Sequence, residues 1–103
     1  MKSKYKIVYL PLAYTDLLEI IHYIRIELKA PQAAQDLIDE LEESISNLQD
    51  YPYAGKKYIS NEKFDNEYRF LVVGNYLVFY VVADNYVEIR RIIFNKRQFD
   101  SLL

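Results

Sequence analysis

The segment EYRFLVVGNYLVFYVVADNYVEIRRIIF, residues 67–94, decides the fold. Two polar pairs, Gly74-Asn75 and Asp84-Asn85, cut it into three runs rich in Val, Ile, Phe and Tyr. β-branched and aromatic side chains suit a pleated surface. Gly, Asn and Asp tolerate the positive φ that tight hairpin turns need. The segment therefore predicts an antiparallel meander with strands over 67–73, 76–82 and 86–94. The middle run is apolar on both sides, as a strand inside a sheet should be.

The third run holds a puzzle. Arg90 and Arg91 interrupt it side by side, and Lys96 and Arg97 follow just past its end. Strict alternation puts Val87, Ile89, Arg91 and Ile93 on one face, and Glu88, Arg90, Ile92 and Phe94 on the other. In the first run, Arg69 shares a face with Leu71 and Val73. An unpaired guanidinium is costly to bury. At most one of Arg90 and Arg91 is therefore expected to point toward any helical layer, with Glu88 or a similar carboxylate beside it at the sheet rim. On pattern alone, exposed arginines of this kind are ordinarily solvated or joined in weak rim ion pairs.

Upstream, KYKIVYL (4–10) reads as another strand. Pro11 follows, at a position that suits the start of a helix, although Leu10 has no side-chain oxygen to cap it. Ala13, Leu17, Ile20, Ile21, Ile24 and Leu28 recur at helical spacing, which predicts an amphipathic helix of about four to five turns. Asp16 and Glu19 lie early in it, where the helix dipole favours acids. Pro31 opens a second helix with the stripe Ala34, Leu37, Ile38, Leu41, Ile45 and Leu48. Its opposite face carries Asp36, Asp39, Glu40, Glu42 and Glu43. The short connection predicts an antiparallel helical hairpin. Residues 51–66 read as a basic loop, and KRQFDSLL (96–103) suits one helical turn. The order is β-α-α-β-β-β, an α+β fold: a helical hairpin on one face of a mainly antiparallel sheet, with the first strand returning to an edge. The second face is expected to meet solvent or a partner.

A chain of 103 residues with 51% apolar side chains suits a single domain over 1–103 with one core. Only 2 Gly and 3 Pro argue against a flexible tail. No apolar run reaches the roughly 18 residues that span a bilayer. The basic-then-apolar start, MKSKYKIVYL, is too short and too rich in Tyr for a signal peptide, and no small-residue cleavage site follows. A cytoplasmic protein is expected. The absence of Cys excludes disulfides and thiolate chemistry. With His22 as the lone histidine, neither a metal site nor a cofactor is expected.

Net charge is −2, and it is unevenly spread. Residues 1–50 hold 5 basic and 9 acidic side chains, and residues 51–103 hold 8 and 6. Any contact with phosphate or an acidic partner is expected from the second half. Lys56 and Lys57 suit such a contact as well as they suit a solvated loop. His22 lies far in sequence from the cations, and a structural role outweighs a general base. Tyr76 and Tyr80 offer stacking surfaces for bases, but aromatic closure of the core, with hydroxyls at the rim, is the stronger reading.

Four pieces, in order, resemble the RelE/ParE superfamily of bacterial toxins. They are DLLEIIHYI (16–24), LIDELEESISNLQDYPYAGK (37–56), YRFLVVGNYLVFYVV (68–82) and VEIRRIIFNKRQF (87–99). The last two are similar to the family's Y/R-x-L-x-V-G-x-Y-x-V-F-Y and V-x-I-x-R-I-x-x-x-R-R. The resemblance covers nearly the whole chain and implies the same β-α-α-β-β-β layer. It also implies a toxin neutralised by a cognate antitoxin, which lays an amphipathic segment across it. Operator DNA binding would belong to the antitoxin.

The superfamily holds two mechanisms. RelE-like members cut messenger RNA on the ribosome without a metal, which requires a base, an acid and cations around the phosphate. ParE-like members bind DNA gyrase and block it. The resemblance carries over Arg69, Arg91, Lys96 and Arg97 as basic positions. Catalytic work, if the chain is a nuclease, would fall to Arg69, Arg91 and Arg97. A target-binding surface would add Arg90, Lys56 and Lys57. Two RelE-type basic positions are Leu71 and Leu77 here, the terminal catalytic Tyr is Leu103 or missing, and Phe94 stands near the place of the YoeB-type His. Each such group is worth roughly 10²–10³ in rate, so the ParE-like reading leads. A ribosome-dependent nuclease and a non-toxic binding module are the alternatives.

Overall fold

Two prolines set where the helices start. β1 (Lys6–Tyr9) runs through extended Leu10 into α1 (Pro11–His22), and Ala30 leads into α2 (Pro31–Ser46). Neither helix has a side-chain N-cap hydrogen bond; a proline in the first turn lacks the N–H that would otherwise be left over. The computed structural model describes residues 4–60, 63, 64, 66–96 and 99–103. After α2 come a 3₁₀ turn (Asn47–Gln49), β2 (Lys56–Lys57), β3 (Arg69–Val73), β4 (Tyr76–Ala83) and β5 (Tyr86–Phe94).

The first helix departs from its predicted span. It passes at Tyr23–Glu27 into a π-helical turn, where Leu28 N–H donates to the Tyr23 carbonyl at 3.0 Å. The wider turn rotates the following side chains. Ile24 still packs on the core, but Leu28 leaves the stripe and is 55% exposed. Lys29 then adopts φ 51° and turns the chain toward α2. α1 packs on β5, while α2 packs on the π turn and β3.

The sheet order is β1-β5-β4-β3-β2. β1 pairs parallel with β5 at the edge, and every other pairing is antiparallel. The predicted hairpins form, with Gly74 at φ 57° and Asp84 at φ 54°. β2 lies inside the segment expected to be loop. It is two lysines long and has no apolar signal; Lys56 and Lys57 pair with Phe70 and Arg69.

Strict alternation fails in β5. Arg91 faces Phe79 but Ile89 faces Tyr80, so Arg90 is an extra residue in a β-bulge. Val87, Ile89 and Ile92 all reach the helix-side core, and Ile93 reaches the other side. The bulge is what accommodates two consecutive arginines in an otherwise apolar strand.

The second face is not open, contrary to expectation. Leu77, Phe79, Val81 and Ile93 are covered by Tyr58, Phe64 and Tyr68 from the loop and by Phe99, Leu102 and Leu103 from the end of the chain. Tyr58 and Phe99 set their rings 5.2 Å and 5.3 Å from that of Phe79. β4 is apolar on both sides, so two apolar covers are needed. The terminal segment makes a single hydrogen-bonded turn, with Leu103 N–H on the Phe99 carbonyl at 3.0 Å.

Gly55 shows how closely the β2 loop approaches β4. A Cβ there would lie 2.5 Å from the Tyr80 hydroxyl and 2.8 Å from the Phe70 carbonyl oxygen. At Gly74 the space is open and the positive φ is the constraint. Gly55→Ala should therefore cost about 2–3 kcal/mol through overpacking. Gly74→Ala should cost about 1 kcal/mol through left-handed strain. Urea unfolding of both variants checks the order.

Candidate functional site

β5 outruns its neighbour. β1 pairing ends at Tyr9 against Ile89, where Leu10 N–H donates to the Ile89 carbonyl at 3.0 Å. The next outward-facing amide, that of Ile92, has no strand beside it and donates to the Asp16 carboxylate of α1 at 2.9 Å. The same carboxylate receives Arg91 Nε at 2.7 Å and Nη2 at 3.0 Å. Arg91 Nη1 donates to the Leu102 carbonyl at 2.7 Å. The bulge lets the Arg91 side chain reach round the sheet edge to this acid. The two side chains are only 19% and 12% exposed. The hydrogen bond to Asp16 is the main cause holding the Arg91 pKa above its ordinary value; burial opposes it, and the charges of Asp16 and Glu19 add to it. The pair thus ties α1, the β5 edge and the terminal turn together. The dipole role expected for Asp16 understated this, since Asp16 lies beyond the first turn of α1.

Arg69 lies on the helix side, at the other end of the sheet's core. Its Nη1 donates to the Gly55 carbonyl at 2.9 Å and the Tyr53 carbonyl at 3.3 Å. Its Nη2 lies 3.1 Å from Glu67, and its guanidinium is 5.0 Å from the Tyr53 ring centre. Gly55 N–H donates to the Tyr80 hydroxyl at 2.8 Å. Tyr80 is fully buried, in keeping with its reading as a core residue. Burial pushes its pKa up, opposed by this hydrogen bond and by Arg69. Tyr76 is half-buried against the core and meets Phe94 edge-on at 5.6 Å.

Arg90 projects to the opposite face from Arg69. It pairs with Glu88 at 2.7 Å and sits 6.0 Å from the Tyr68 ring centre; the arginine that reaches the helical layer is Arg91, and its carboxylate is Asp16. The Nε of Arg90 is buried with no hydrogen-bond partner among the described residues. β4 stands between the two arginines, which puts them about 10 Å apart in the sheet plane at ordinary strand spacing.

The sequence-predicted cations are therefore not one cluster. Lys56 and Lys96 are exposed and make no ion pair among the described residues. Lys57 makes an exposed pair with Glu67 at 3.6 Å. The β5 end at Phe94 is four rungs from the Arg69 level, about 13 Å by strand rise, and Lys96 lies two residues past it. Arg97 lies outside the described residues. His22 is exposed at the end of α1. Among the described residues, no helix is long and apolar enough to cross a membrane, and no group of His, Asp or Glu converges as a metal site would need.

Asp100 forms a latch that no sequence period signals. Asp100 accepts hydrogen bonds from Tyr58 and from Ser60, the latter at 2.5 Å. It holds the terminal turn on the second face of the sheet. Partial burial first, then Asp100, pushes the Tyr58 pKa up to about 12. The hydrogen bonds from Ser60 and Tyr58 hold the Asp100 pKa below its ordinary value. Only the tail's Phe and Leu residues signalled a docking turn; nothing local linked Asp100 to a tyrosine 42 residues earlier.

Two helices on a five-stranded mixed sheet define a toxin-like α+β fold of the RelE/ParE superfamily. A family model described as the ParE toxin of type II toxin–antitoxin system, parDE, matches residues 7–99, and the chain belongs to that family. Among solved structures, a chain of the chromosomal ParDE TA system from P. aeruginosa shares the fold. Its TM-score is 0.68 and its identity 20%, over 88% of this chain and 96% of that chain. No curated protein sequence matches.

Two expectations follow. Arg69→Ala should lower stability by about 1–2 kcal/mol, because the part-buried Gly55 carbonyl loses a charged donor; urea unfolding measures it. The latch should also respond to pH. A raised Tyr58 pKa contributes stability below the ordinary value of 10.0, and this is lost as pH rises through about 12. A lowered Asp100 pKa contributes above 3.8, and this is lost as pH falls through the folded value. An NMR titration of the Tyr58 ring should give a midpoint near 12 that falls in Asp100→Asn; a midpoint at 10.0 in the wild type would contradict the latch.

Proposed function

We propose that this chain arrests bacterial growth in the cytoplasm by binding DNA gyrase and blocking it, and that a cognate antitoxin neutralises it. Membership of the ParE toxin family supports the toxin role. The observation that carries the choice of target is what occupies the nuclease positions. Leu71 packs on the helix-side core, and Leu77 is buried in the second core beside Leu103. No cation or acid stands at these places. Arg69 and Arg91, the best remaining candidates for phosphate, already serve internal carbonyls and Asp16. Turning either outward would strand a partly buried carboxylate or carbonyl, at a cost of about 1–3 kcal/mol.

A protein–protein blockade needs no reacting constellation. In this reading Lys56, Lys57, Lys96 and Arg97 meet the target, while Arg69, Arg90 and Arg91 hold the sheet that presents them.

The test is a supercoiling assay with purified gyrase. Excess toxin should abolish supercoiling, and adding antitoxin should restore it. Unaffected supercoiling at excess toxin, with messages cut in the ribosomal A site on induction, would replace this reading with the nuclease one.

A further inference from the structure

The outer edge of β1 is open over a short, bounded stretch. Lys6 N–H donates inward to the Asn85 carbonyl at 2.9 Å, and Leu10 N–H to the Ile89 carbonyl at 3.0 Å. Alternation therefore turns the main-chain groups of Tyr5, Ile7, Tyr9 and Pro11 away from the sheet. Tyr5 N–H is taken by the Gln49 carbonyl of the 3₁₀ turn at 3.0 Å, and Pro11 has no N–H. Ile7 and Tyr9 are left, each with an outward N–H and C=O and no partner among the described residues. Proteins normally blunt an edge with charge, proline or a bulge; Ile7, Val8 and Tyr9 carry none of these. The apolar cover of the second face includes no residue of β1. Val8 and Tyr86 are 36% and 39% exposed there, and Tyr9 is 37% exposed on the helix side.

The spacing of the two open residues selects the occupant. A second copy of β1, run antiparallel about a two-fold axis at Val8, sets Ile7 of each chain opposite the partner's Tyr9. Each such pair exchanges both of its main-chain hydrogen bonds, so every open donor and acceptor of the edge is used. An axis at Ile7 would set Tyr9 against the capped Tyr5, and an axis at Tyr9 would set Ile7 against Pro11. Val8 meets the partner's Val8 in the closer, non-hydrogen-bonded position, a β-branched pair that favours a sheet. Lys6 faces the partner's Leu10, which is uncharged, and Lys4 is already paired with Asp50 at 3.9 Å. The strand itself therefore brings no like charges together. A two-fold interface requires this kind of self-complementarity. We propose that the chain forms a symmetric dimer in which β1 pairs with β1 and the two sheets join into one. The inference does not depend on the target proposed above. A seam this short belongs with the small, transient interfaces, so the dimer forms and dissociates with concentration.

Sedimentation equilibrium of the full chain, from micromolar to millimolar concentration, should show the mass double. Hydrogen exchange at the Ile7 and Tyr9 amides should slow about tenfold over the same range. The chain has no Cys, so an introduced thiol can pair only with its copy. Val8→Cys places two thiols on residues whose Cα atoms lie about 4.5 Å apart, within disulfide reach. Mild oxidation should cross-link it into a dimer. Val72→Cys, 62% exposed but two strands beyond β5, should cross-link far more slowly. Val8→Lys sets like charges opposite each other and should weaken the dimer about fivefold or more, with the circular dichroism of the wild type. A chain that stays monomeric at millimolar concentration overturns the proposal. So does a dimer in which Ile7 and Tyr9 exchange at the dilute rate, equal cross-linking of the two Cys variants, or wild-type affinity in a folded Val8→Lys. If Val8→Lys does not fold, the exchange measurement on the wild type decides. A monomer whose Ile7 and Tyr9 amides slow only when gyrase is added assigns this edge to the target, and that result also overturns the dimer.

Discussion

A single carboxylate holds three parts of the molecule in register. Asp16 faces the point where β5 has lost its parallel neighbour but is not yet finished. It takes the Ile92 amide as a strand carbonyl would, and it takes the Arg91 guanidinium in a two-pronged pair. Arg91 passes the connection on to the Leu102 carbonyl. Bringing a guanidinium this far out of water costs several kcal/mol unless it is paired and hydrogen-bonded. The partner must therefore be fixed, and a helix anchored at Pro11 on β5 fixes it.

That constraint explains why a slightly acidic chain places cations inside an apolar strand. The bulge at Arg90 sends the two arginines to separate acids, Glu88 on one face and Asp16 round the edge. Arg69 is used in a third place, gathering the carbonyls of the Tyr53–Gly55 loop. Arg91 and Arg69 connect segments distant in sequence, whereas Arg90 pairs within its own strand. Lys56, Lys57 and Lys96, by contrast, are exposed and have weak or no ion-pair partners among the described residues.

Much of this was legible from residue pattern. The breaks at Gly74-Asn75 and Asp84-Asn85, the prolines at 11 and 31, and the helical stripes locate the helices and four of the five strands. β2 was not legible, because two lysines carry no apolar period. The bulge was not legible either: period-two alternation assumes one residue per rung, and only the partner strand reveals an extra one. The second core was hidden for a related reason. Phe64, Tyr58 and Phe99 sit in segments without periodicity, so their burial is decided by the bare face of β4 rather than by their neighbours. For the candidate site, residue identities were readable but their use was not. Arg91 looks the same in sequence whether it meets phosphate or Asp16, and 75 residues separate that pair.

The most direct test of the central claim is a double-mutant cycle at Asp16 and Arg91, using Asp16→Ala, Arg91→Ala and the double variant, with stability measured by urea unfolding. A shared, partly buried ion pair predicts a coupling of about 2 kcal/mol, with the double variant little worse than either single one. Strictly additive losses, within about 0.5 kcal/mol, would mean that the two side chains act independently, and Arg91 would then have to be read as a free cation of the surface.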